Sequence, residues 1–93
     1  MEEKSYSIIR CDRSGVFFGQ VESLKGQTAK IKNARQIWYW EGAASVMQIA
    51  QDGVGNRSKV TVSADIVVTD AIQVIPCSKK AESCLRGFKE WKI

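Results

Sequence analysis

Trp38, Tyr39 and Trp40 stand side by side in the middle of the chain, after Arg35 and before Gly42-Ala43-Ala44-Ser45. Each part of this run has a use in holding a nucleotide. Flat aromatic faces stack bases for about 1–3 kcal/mol each. A guanidinium forks onto a phosphate or stacks on a base, which points to Arg35. A helix start carries unpaired amides and roughly half a positive charge, and Gly42, Ala43 and Ala44 leave the approach to it uncrowded. Ser45 joins Arg35 in holding phosphate, and Gln48 reaches a base edge one turn along. The candidate ligand-binding residues are therefore Arg35, Trp38, Tyr39, Trp40, Gly42, Ala43, Ala44, Ser45 and Gln48. On a strand Trp38 and Trp40 share one face, with Ile37 and Tyr39 on the other. Packing competes for the same side chains, because aromatics in a small sheet commonly fill its core. Three adjacent aromatics cannot all face one core, however, so at least one meets a ligand, a partner chain or water.

Reactive chemistry has little to work with. The sequence contains no histidine, the commonest general base and metal ligand. Ser14, Ser45 and Ser58 have no imidazole to activate them, and the acids Asp12, Glu22, Glu41, Asp52, Asp65 and Asp70 are scattered, mostly at turns. No phosphate-loop, dinucleotide or metal-ligand spacing occurs. The expectation is a non-enzymatic protein with no catalytic residue, metal or cofactor. Cys11, Cys77 and Cys84 are three in number and cannot all pair, and they form no C-x-x-C. They read as reduced, partly buried thiols of a cytosolic protein.

A length of 93 residues allows one domain with a modest core, so a drug-sized ligand of roughly 300–1,000 Å³ must lie in a surface groove or between subunits. Fourteen basic against ten acidic side chains give a net charge of +4. That suits an anionic partner, but a duplex-DNA binder carries a denser basic stripe. Lys25, Lys30, Lys32 and Arg35 form one acid-free cluster of cations, and Lys79, Lys80, Arg86, Lys89 and Lys92 concentrate charge in the tail. The first four residues lack the apolar run of a leader peptide, and no stretch approaches the ~20 apolar residues of a membrane helix.

These side chains need a scaffold. Tyr6, Ile8 and Ile9 within Ser5–Cys11 predict a strand, Asp12-Arg13-Ser14-Gly15 a turn, and Val16–Val21 a second strand. Lys25-Gly26 marks a tight turn before Thr28–Lys32, which alternates with the period of a half-buried strand. Ile37–Trp40 reads as a fourth strand, broken at Glu41-Gly42. Val46, Met47, Ile49 and Ala50 predict a helix over Ala43–Gln51, stopped at Asp52-Gly53. Gly53–Ser58 has the composition of a mobile loop. Val60 and Val62 resume strand alternation. Ile66–Ile75 contains one or two central strands, interrupted near Thr69-Asp70. After Pro76, Ser78 caps a short helix through Arg86 that Gly87 ends, and Phe88 and Trp91 fold the tail back. The fold class is α+β, a single domain with a curved, mostly antiparallel sheet of five or six strands and two short helices.

The strings Gly15-Val16-Phe17-Phe18-Gly19, Asn33–Ala50, Ile66–Thr69 and Ile72–Cys77 resemble a family of small bacteriophage proteins with the pattern N-A-R-x-I-W-Y-W-x-G-A-A-S-x-x-Q-x-A. The resemblance covers about Ser5 to Trp91. Phage proteins of this size include sponges, which bind and withhold the cyclic nucleotide signals of bacterial immunity. By that analogy the chain is a homo-oligomer in the cytoplasm of an infected host, holding a cyclic oligonucleotide at an intersubunit site. A two-fold interface presenting one motif twice matches a ligand with two phosphates and two bases. Two other readings compete. One is a phage structural or protein-interaction module that uses the aromatic strand as its contact surface. The other is a single-stranded nucleic-acid binder, whose affinity falls steeply with salt.

Overall fold

Alternating apolar and polar side chains build seven strands, seen in a computed structural model that describes residues 5–93. They are β1 (Tyr6–Cys11), β2 (Val16–Lys25), β3 (Thr28–Tyr39), β4 (Lys59–Thr61), β5 (Ala64–Val68), β6 (Ala71–Pro76) and β7 (Glu90–Trp91). Two helices, α1 (Val46–Asp52) and α2 (Lys79–Arg86), complete an α+β fold. The reading of the first four residues as free of a leader lies outside the described residues. Among the described residues no helix is long and apolar enough to cross a membrane.

The strand order β6-β1-β2-β3-β4-β7, with β5 also on β3, is antiparallel except for β4 beside β7. The outer strands β5 and β6 follow each other with only Thr69 and Asp70 between them. The sheet therefore has to curl until its two edges approach. Curling gives it two cores. One is packed by the helices and contains Ile8, Phe18, Ile37, Ile49, Val60 and Leu85. The other lies within the curl and contains Ile9, Cys11, Ala29, Ile31, Ala34, Val68 and Ala71. Strand β1 serves both, which is why Tyr6 through Ile9 are buried without a break.

The stretches Thr28–Lys32 and Ile37–Trp40, expected as separate strands, belong to one twelve-residue strand that ends at Tyr39. A bulge makes this possible. Between Ile31 and Ala34 β3 advances three positions while β5, from Ile66 to Ala64, advances two. The irregularity falls at Asn33, whose φ of 54° is left-handed, a conformation asparagine tolerates better than most residues. Its amide donates to Asp65 Oδ1 at 3.0 Å, which pins the bulge. Opposite, Gly19 leaves room for the distortion: a Cβ there would lie 2.5 Å from Ile31 Cγ2. The extra residue reverses the side-chain alternation. Ala29, Ile31 and Ala34 all point into the curl, and Arg35 and Ile37 turn toward the helices.

Both helices are capped, the second by Ser78 as expected. Ser45 Oγ accepts from the Gln48 amide, and Ser78 Oγ from that of Ala81. The first helix begins later than expected, at Val46, because Ser45 serves as its cap. Cys11, Cys77 and Cys84 are free thiols. Burial pushes the Cys77 thiol up to about 12 and Cys11 up to about 11, the latter helped by the Asp70 carboxylate, so neither is a ready nucleophile.

Candidate functional site

Arg35 comes first among the candidates, and the fold uses it. Its side chain is only 6% exposed. Nε donates to Thr61 O at 2.8 Å, Nη1 to Leu85 O at 2.6 Å, and Nη2 more loosely to Val60 O and Lys89 O, both at 3.4 Å. The bulge at Asn33 is the physical reason, since it turns Arg35 inward to tie β3, β4 and the end of α2 together. Burial lowers its pKa, and Glu90 opposes that from a distance. An open phosphate clamp beside the aromatic run is thus not what Arg35 forms.

The start of α1 is likewise engaged. The Ala44 amide donates to Gln48 Oε1 at 2.8 Å while the Gln48 amide donates to Ser45 Oγ at 3.2 Å. This reciprocal cap occupies the groups that were to meet phosphate and a base edge. Ala43 packs on the first core. Gly42 has a φ of 82°, and a Cβ on it would come within 3.0 Å of the Gly55 backbone. Its smallness admits the Gly53–Ser58 loop. That loop, read as mobile, is tied down: the Gly55 amide donates to Glu41 O at 2.7 Å, and buried Ser58 accepts from the Glu41 amide at 3.0 Å.

The aromatic run divides differently from simple alternation. Ile37 is buried, Trp40 packs on the first core, and Trp38 and Tyr39 are both exposed, at 55% and 49%. A second bulge explains it. Ile37 sits opposite Val60 and Tyr39 opposite Lys59, so β3 spends two steps where β4 spends one. Trp38 therefore projects from the surface.

There it meets the tail. Parallel pairing of β7 with β4 sets Trp91 beside Thr61, and the Trp38 and Trp91 rings stack at 4.7 Å with planes 25° apart. Lys59 Nζ lies 5.3 Å from one centroid and 5.4 Å from the other. Near-equal distances place the ammonium beside the stack, at its rim, and not over an outer face. Next to it a cleft of about 190 Å³ is lined by Arg57, Ser58, Lys59, Lys89, Glu90 and Trp91. Three of these are cations and one is an acid. The arrangement offers a broad flat surface with positive charge at its edge. Such a surface suits a planar, negatively charged group.

Of the nine candidates, then, Trp38 forms this surface, Tyr39 is exposed on the strand position paired with Lys59, and the other seven are occupied in packing, capping or hydrogen bonding. Lys59, Lys89 and Arg57 were not among the candidates. Trp91 was expected only to fold the tail back. A cation alternating with Val60 opposite an aromatic strand was the one sequence signal for Lys59.

Residues 4–85 match the family described as a domain of unknown function, DUF6948. The chain belongs to that family. The DUF6948 match takes in Trp38, Tyr39 and Lys59 and stops short of Trp91, so the stack joins the matched region to the tail beyond it. No curated protein and no solved structure matches the chain.

Proposed function

We propose that this DUF6948 protein is a phage-encoded, non-enzymatic binding protein that sequesters a cyclic nucleotide signal, with a base resting on Trp38. One observation carries the proposal. Trp38 is 55% exposed, Trp91 backs its ring at 4.7 Å, and the Lys59 ammonium stands at the rim. Stacking a base there is worth about 1–3 kcal/mol. A backed ring loses little freedom on binding, and the flanking lysine meets the phosphate. The adjoining cleft of about 190 Å³ is smaller than the roughly 300–1,000 Å³ of a drug-sized pocket, which supports a site completed by a second copy of the chain. The phage assignment rests on the sequence resemblance, and with it the host cytoplasm as the place of action.

Calorimetry with a panel of cyclic di- and trinucleotides tests this reading. Saturable heat with at least one of them, lost in Trp38→Ala, is expected; no heat with any contradicts it. A second reading draws on the exposure of Tyr39 and Trp91 beside Trp38, since clustered aromatics anchor protein interfaces. Under it, a host or phage protein co-purifies from infected cells and Trp38→Ala releases it, while the calorimetry stays silent.

A further inference from the structure

A second polar cleft lies away from the ring stack, between β1, β2, β3 and the end of α2. It measures about 170 Å³ and is lined by Tyr6, Phe18, Asn33, Arg35, Ser63 and Arg86. Its apolar wall is a stacked pair, Tyr6 on Phe18 at 4.7 Å, with the Arg86 guanidinium 5.0 Å above the Tyr6 ring. Two guanidinium groups and no carboxylate line it.

The charge of Arg35 is the unusual feature. A buried arginine normally has an acid beside it, because an uncompensated charge is costly in the interior. Among the described residues no carboxylate lies within ion-pair distance of Arg35, and carbonyl oxygens alone accept from it. Guanidinium carries five N–H donors. Carbonyls take four of the five on Arg35, two of them at 3.4 Å, which leaves one Nη1 N–H without an acceptor among the described residues. Arg86 spends Nη1 on Glu82 at 3.3 Å and is otherwise half-exposed. The Ser63 hydroxyl has no hydrogen-bond partner among the described residues.

We infer that this cleft binds one tetrahedral oxyanion, a free phosphate or the terminal phosphate of a monoester, between Arg86, Ser63 and the rim of Arg35. Planar guanidinium forks match such an anion in geometry as well as charge. The volume fits a single anionic group. The inference stands apart from the nucleotide reading, because the residues differ from those around Trp38.

Titration of isotope-labelled protein with inorganic phosphate, and separately with a nucleoside monophosphate, reads the site at the Tyr6, Asn33 and Ser63 amides. Sodium chloride at matched ionic strength is the control. Saturable shifts at those amides are expected, weakened about tenfold in Arg86→Gln and reduced in Ser63→Ala. Both positions are exposed, so these variants keep the fold, and Trp38→Ala should leave the shifts unchanged. Tighter response to the monophosphate supports a terminal phosphate as the occupant, and equal response supports the free ion. Shifts that track ionic strength alone, or that survive in Arg86→Gln, would overturn the inference.

Discussion

Arg35 and Trp38 stand on the same strand, yet the fold treats them in opposite ways. Arg35 is drawn inward until carbonyls of Thr61, Leu85, Val60 and Lys89 surround it. Trp38 is pushed out beyond the sheet, where Trp91 stacks on it and Lys59 stands beside it. Both belong to one continuous sequence motif with the residue types of a ligand site. The difference comes from backbone irregularities, the bulge at Asn33 before Arg35 and the bulge between Ile37 and Tyr39 after it. A motif contiguous in sequence is therefore not a contiguous surface. Its charged half holds the scaffold together, and part of its aromatic half remains for a partner.

Removing the inner residue should cost most. Arg35→Met leaves several interior carbonyls without a donor, each worth about 1–3 kcal/mol, so a loss of about 3 kcal/mol or more in urea unfolding is expected. A loss near zero would mean that those carbonyls find other partners and that Arg35 is not part of the frame. Asn33→Ala sharpens the comparison by attacking the bulge itself. Forcing alanine to a φ of 54° should cost about 1–2 kcal/mol, and Asn33→Gly clearly less. Equal losses would place the effect in the Asn33 side chain and not in the left-handed backbone.

The outer residue should behave differently. Trp38→Ala gives up an exposed stack worth about 0.5–1.5 kcal/mol, so stability falls by about 1 kcal/mol or less while binding disappears. A larger loss of stability would make Trp38 a packing residue like Arg35 and erase the contrast. The smallest effect concerns the link between the sheet edges. Asp70 accepts from Ser14 Oγ at 2.7 Å and from the Arg13 and Ser14 amides at 2.6 and 2.8 Å, and these bonds hold its carboxyl below the ordinary range. A depressed pKa contributes stability above the unfolded value, lost as pH falls through the folded one. Asp70→Asn should therefore melt below the parent at neutral pH, with the gap closing under acid conditions. A gap that widens in acid would contradict the assignment.

Much of the scaffold was legible from residue types. Ser78 and Gly87 mark the ends of α2 through local chemistry, and so do Gly15 and Gly26 at their turns. The resulting fold class follows, although the sheet has seven strands where five or six were expected, one being the two-residue β7. The site was less legible. Which way Arg35 and Tyr39 point depends on parity, and a single inserted residue reverses parity without any change in composition. Asn33 carried a hint, as a residue that tolerates left-handed backbone inside a strand pattern. The partnership of Trp38 with Trp91 left no local trace, because it depends on β7 pairing parallel to β4 at long range. Gln48 and Ser45 illustrate the opposite hazard. Their spacing fits both a ligand-holding helix start and a self-contained cap, and the hydrogen bonds fulfil the cap.

The most direct test sets the two halves of the motif against each other on one ligand. Whichever cyclic nucleotide gives the strongest calorimetric signal should be titrated into Trp38→Ala, Lys59→Gln and Ser45→Ala at constant ionic strength. Recognition at the ring stack predicts that binding vanishes in Trp38→Ala, weakens in Lys59→Gln and persists in Ser45→Ala. Binding that survives loss of the indole but fails without the serine hydroxyl would contradict it and return the site to the start of α1.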